Sequence, residues 1–147
     1  MDGEGAGKSK YQAAWMAINL SSLPFWLAMI LFPRSRFTAK LIERVAPLHL
    51  ALSVFYSGTL ITSGVKADER VDFGNLESVQ RAFQSPEAML AGWTHYISFD
   101  LFVGAWIWRR SVAEGKPARL AMLLTWWAGP MGLGLFLGRN RLPSWIP

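Results

Sequence analysis

The feature that most constrains this chain is an apolar run over residues 88–108 that carries His95 and Asp100 well away from both of its ends. A run of that length crosses the hydrocarbon core of a bilayer as one helix. Ionisable side chains at such depth are costly and turn toward a bundle interior or a water-filled cavity, so both are functional-site candidates.

The rest of the chain repeats the apolar half of this pattern. Of its 147 residues 52% are hydrophobic, and eight Trp and nine Phe gather in a few blocks separated by short charged connectors. Mean hydropathy is only +0.21, because the polar N-terminus and residues 66–86 dilute it. The formal net charge of +5 comes from Lys and Arg placed beside the apolar runs, as in membrane-flanking connectors, so nucleic acid is not expected as a partner. With no Cys, disulfides and thiolate metal sites are excluded.

Residues 1–10, with three Gly and no apolar period, read as a flexible polar tail. A first span follows over 11–32, too long for a secretory leader and without a cleavage site. Its Pro24 frees the carbonyl four residues earlier, with Ser21 and Ser22 near enough to satisfy the backbone. A basic connector with Arg34, Arg36, Lys40 and Arg44 leads to a second span over 47–65, where Pro47 suits the first turn. In the polar stretch 66–86, Asn75 caps a short surface helix whose Leu76, Val79 and Phe83 form an apolar stripe able to cover a cavity mouth.

Ser85 and Pro86 signal the start of the third span, over 87–108. A second basic connector carries Arg109, Arg110, Lys116 and Arg119 ahead of a fourth span over 118–138, and 139–147 form a short tail. Within the fourth span, Gly129-Pro130-Met131-Gly132-Leu133-Gly134 removes bulk and breaks the hydrogen-bond ladder, either for close helix packing or for a groove that takes a flat ligand. The expected fold is an all-α integral membrane protein, a four-transmembrane-helix up-and-down bundle over 11–138 with a short surface helix between helices two and three. Eight Lys and Arg in two short connectors place those connectors in the cytoplasm and both termini on the non-cytoplasmic side.

Depth along each helix, at about 1.5 Å per residue, sorts the polar side chains into levels. Asn19, Ser22 and His95 share one; Asp100 shares another with Ser53, Tyr56 and the residues 125–127. His95 and Asp100, five residues apart, stand about 140° apart round the helix, whereas Tyr96, Asp100, Val103 and Gly104 share a face. Two polar clusters are expected, not one His-Asp dyad. His49 lies roughly 14 Å from His95 along the membrane normal, too far for both to ligate one haem iron.

His95 is read either as a direct participant or as a buried imidazole bonded to Asn19 or a backbone carbonyl. Asp100 is read either as a proton donor or as a neutral carboxyl that ties helices together, to Tyr56 or Trp126. No nucleophile elbow, phosphate loop or paired-histidine zinc motif is present, and no metal or other cofactor is expected. Acid–base chemistry on an apolar substrate reached from the lipid is what these parts allow.

The stretches 85–88, 92–96 and 99–107, with Trp93, His95, Tyr96, Phe99, Asp100, Leu101, Phe102, Val103 and Gly104, resemble the abscisic-acid-deficient-four-like family of small membrane proteins. Residues 19–26 and the segment from Gly129 to Leu133 look like further landmarks of that family. The resemblance implies a carotenoid-handling membrane protein, since plant members are implicated in neoxanthin formation, where an epoxide is opened and rearranged to an allenic alcohol. That reaction needs an acid for the epoxide oxygen and a base for a polyene proton, roles to which Asp100 and His95 are suited. Asn19, Ser22, Tyr56, Trp93, Tyr96, Phe99, Trp126, Gly129 and Gly132 are the residues expected to contact such a ligand. The lack of a plastid leader points to a bacterial inner or photosynthetic membrane. The alternative is a non-catalytic accessory subunit that holds carotenoid or packs on a photosynthetic or rhodopsin-type complex. Partners are thus membrane lipid, carotenoid and other membrane subunits.

Overall fold

The computed structural model describes residues 2–67 and 70–141. Every regular element among them is a helix: α1 Asp2–Leu31, α2 Arg36–Glu43, α3 Ala46–Lys66, α4 Leu76–Ala82, α5 Pro86–Ala113, α6 Arg119–Ala128 and α7 Pro130–Arg141. They form two compact units, Met1–Ser21 with Pro47–Ser98 and Ser22–Ala46 with Phe99–Pro147. Over residues 2–10, where a tail is expected, the backbone continues α1. Extending an existing helix adds one hydrogen bond per residue and needs no new nucleus.

In the first unit, Ile18, Leu52 and Leu90 form the buried centre, with Tyr11, Trp15, Leu48, Phe55, Trp93 and Ile97 packed around them. On each helix these residues recur at three- and four-residue steps, so α1, α3 and α5 each present one stripe. Trp15 and Trp93 stack with ring centroids 4.6 Å apart, and the Trp93 indole N–H donates to the Asn19 side-chain oxygen at 3.1 Å. The first and third apolar runs are therefore neighbours, as an Asn19–His95 pairing requires, with Trp93 as a partner of Asn19. Replacing Asn19 with Leu should leave that N–H unsatisfied and cost about 1–3 kcal/mol. The check is thermal unfolding in detergent, in which adding Trp93→Phe to Asn19→Leu should recover part of the loss.

The surface helix appears where expected. Asn75 caps α4, its side-chain oxygen accepting from the N–H groups of Glu77 and Ser78, and Ser85 accepts from Ala88 N–H at the start of α5.

The second unit holds two departures from expectation. The basic connector contains α2, capped by Ser35, with Thr38 and Ile42 buried on one side. Thr38 donates to the carbonyls of Ala28 and Phe32, closing the end of α1. The signal was there in the Ser35 cap and the Thr38–Ile42 spacing, but a stripe of two residues is too short to stand out.

The larger correction concerns the fourth apolar run, which is not one span. It folds as two antiparallel helices, α6 and α7, broken at Gly129, whose φ is +44°. Pro130 supplies the first residue of α7, where a missing N–H costs nothing. Gly132 packs against the backbone of Thr125 and Ala121, and Arg139 donates to the carbonyl of Pro117 at 2.9 Å, so the chain returns to where α6 began. An up-and-down fourth helix would carry residue 139 about 30 Å from residue 117.

Two helices, over Ser9–Leu31 and Ala46–Lys66, are long and apolar enough to cross a membrane. Of their most apolar windows, only 33% and 6% is buried inside the protein. On α3, Leu50, Val54, Ile61 and Val65 are exposed, while Ser53, Thr59 and Thr62 donate back to carbonyls of their own helix. Such back-bonding lets a hydroxyl face an apolar surround without an unsatisfied group.

Candidate functional site

A cavity of about 1330 Å³ opens in the first unit between α3, α4 and α5. On α3 it is lined by Tyr56, Leu60, Ser63 and Gly64, which fall on one face. On α5 it is lined by Ala88, Ala91, Gly92 and His95, where three small residues in succession along a face make the room. From Lys66 at the mouth to Tyr56 the wall runs ten residues of helix, about 15 Å.

His95, Tyr56 and Tyr96 meet at the far end. The His95 ring lies 5.9 Å from that of Tyr56 and 6.4 Å from that of Tyr96, centroid to centroid. An imidazole that can take a proton and two phenols that can give one thus share the end of a largely apolar chamber.

The mouth is built by α4. Val79, Ala82 and Phe83 line it, and the Phe83 ring seats on Gly92, where an added Cβ would come within 2.6 Å of the ring edge. Leu76, expected in the same apolar stripe, is instead 73% exposed. Beside the mouth, Tyr11 donates to a Glu87 carboxylate oxygen at 2.6 Å and Lys66 to the same oxygen at 2.5 Å. This cluster joins α1, α3 and α5, and sequence reasoning missed it.

Of the residues singled out from the sequence, His95, Tyr56 and Tyr96 line the cavity, and Asn19 and Trp93 lie in the same unit, bonded to each other. Ser22, Phe99, Asp100, Trp126, Gly129 and Gly132 belong to the second unit. Asp100 rests on the helix break: a Cβ on Gly129 would stand 2.8 Å from one carboxylate oxygen. Ser22 is fully buried, Trp126 stacks on Trp26 at 6.4 Å, and Phe99 is exposed. The space left by the missing side chain of Gly132 is filled by α6, so close helix packing, rather than a ligand groove, accounts for that glycine.

The family model described as ABA4-like, ABA DEFICIENT 4-like, matches residues 13–136. The chain belongs to the ABA4-like family. The match runs from the Trp15 region of α1 to Phe136 on α7, so the cavity and the Asp100–Gly129 contact both lie within the family's extent. No curated protein and no solved structure matches the chain.

Proposed function

We propose that this ABA4-like protein is an integral membrane protein that takes the oxygenated ring end of a carotenoid into the cavity of its first unit and isomerises it there. The observation that carries this reading is the meeting of His95, Tyr56 and Tyr96 on the wall of a half-open, largely apolar cavity. Family membership is consistent with a carotenoid-related role. In the membrane, α1, α3 and α5 span, while α6 and α7 enter and leave by the same face. The basic connectors lie in the cytoplasm and the C-terminal end of α7 lies with them.

Opening an allylic epoxide to an allenic alcohol is a proton-balanced rearrangement. One proton is placed on the epoxide oxygen as its C–O bond breaks, and one leaves a polyene carbon, so no cofactor is consumed. His95 is the base of this scheme. The acid role that the sequence offers to Asp100 has a rival inside the cavity, the Tyr56 hydroxyl. Substitution separates them, because Tyr56→Phe and Asp100→Asn each keep shape while removing the acidic proton.

The test is carotenoid composition by chromatography in cells that make an epoxidised xanthophyll. His95→Ala and Tyr56→Phe should lower conversion at least 10²-fold, the ordinary scale of a lost general acid or base. Asp100→Asn should retain conversion if the cavity holds the acid and lose it if Asp100 does. Profiles for His95→Ala identical to wild type would refute the catalytic reading. A deletion that changes no carotenoid would favour the accessory-subunit alternative.

A further inference from the structure

We propose that the basic end of the second unit is a binding site for an anionic phospholipid, with its phosphate held by Arg34, Lys116 and Arg119 and its acyl chains lying along Leu31, Phe32 and Val112. This rests on the membrane reading above and adds a specific lipid site which that reading does not contain. The observation is a second cavity, of about 490 Å³, lined by those six residues together with Ser35, Ser111 and Met122 among others. Three cations line it, and among the described residues no carboxylate does. The nearest acid in sequence, Glu114, is already taken by Arg110 at 2.6 Å.

Two of the three cations, Arg34 and Arg119, are oriented by the backbone. Arg34 donates to the carbonyl of Gly115 and Arg119 to that of Leu31, each at 3.5 Å, and Arg139 approaches the edge through its bond to the carbonyl of Pro117. Those bonds use one guanidinium nitrogen apiece and leave the remaining N–H donors of each fork available. Like charges gathered without a counter-ion repel one another, and a phosphate relieves that repulsion while accepting charge-assisted hydrogen bonds.

The apolar side decides what kind of phosphate. Leu31, Phe32 and Val112 are 53%, 61% and 43% exposed at the rim of the same cavity. A free phosphate leaves that surface uncovered, whereas the chains of a glycerophospholipid cover it as they continue into the bilayer. Basic pockets on the cytoplasmic side of membrane helices take lipid head groups by this chemistry.

The experiment uses the full chain purified in a non-ionic detergent, with affinity and thermal stability measured against phosphatidylglycerol, phosphatidylcholine and inorganic phosphate. Phosphatidylglycerol should bind and raise the melting temperature, phosphatidylcholine should not, and inorganic phosphate should act only weakly. The double variant R34Q/R119Q should bind phosphatidylglycerol about 30-fold more weakly, at roughly fivefold per lost charge. Should that variant fail to fold, the single K116Q should still show about a fivefold loss. R36Q/K40Q, on the exposed side of α2, should bind as the parent does. Equal protection by phosphatidylcholine, or unaltered binding by R34Q/R119Q and K116Q, would overturn the proposal. Full protection by inorganic phosphate would make this an anion site and overturn its lipid identity. Recovery of the chain from the soluble fraction without detergent would be a failure of the membrane reading itself, separable from these.

Discussion

Cysteines introduced at Ala113 and Gly138 should be labelled by an impermeant maleimide from the same side of the membrane, and a cysteine at Ser9 from the opposite side. The chain has no Cys of its own, so each label reports a single position. All three sites are exposed, and a Cβ at Gly138 meets nothing within 4 Å. Ser111, two residues before Ala113 in α5, is only 4% exposed and unsuitable.

α6 has ten residues and α7 twelve, so their lengths are about 15 and 18 Å against a hydrocarbon core of roughly 30 Å. Neither crosses alone. The bond from Arg139 to Pro117 returns the chain to the end of the unit from which α6 departs. With α1, α3 and α5 crossing as proposed, a re-entrant pair puts the two termini on opposite sides, whereas a fourth crossing would put them on the same side. Labelling of Gly138→Cys together with Ser9→Cys from one side would refute the hairpin.

Replacing Gly132 with Leu should cost more than about 4 kcal/mol and abolish recovery of folded protein, while Gly134→Leu should stay within about 0.5 kcal/mol of the parent. The two glycines are two residues apart in one glycine-rich segment. At Gly132 a side chain meets the backbone of Thr125 and the carbonyl of Ala121, which cannot rotate aside; at Gly134 nothing lies within 4 Å. Overpacking of a close helix contact either separates α7 from α6 or unfolds both. The measurement is yield and thermal unfolding in detergent. A Gly132→Leu protein as stable as Gly134→Leu would show that α7 does not lie on α6.

Which residues reach the cavity was partly legible. His95 and Tyr56 stand out because polar groups inside apolar runs must face something other than lipid. The Asn75 cap and the Ser85-Pro86 start follow from local rules, since capping depends on residues within one turn. The Tyr11–Glu87–Lys66 cluster was not legible, because its members lie 76 and 21 positions apart and each is unremarkable in its own segment. The seat of Phe83 on Gly92 was hidden for the same reason: a glycine in a helix says that something comes close, but not what does.

Periodicity, capping and the position of charges beside apolar runs thus determined by themselves that the chain is helical, where most helices begin, and that His95 and Asp100 belong on different faces. These are local or compositional quantities. Only the tertiary structure decided that the last apolar run doubles back, because Gly129-Pro130 is compatible both with a kink and with a reversal, and the choice is made by what α6 offers to Gly132. Only it decided that His95 and Asp100 fall in separate compact units, the one among phenols in a cavity and the other against a helix break. Partition of one helix between two packed bodies depends on contacts from distant segments, and these leave no period in the sequence.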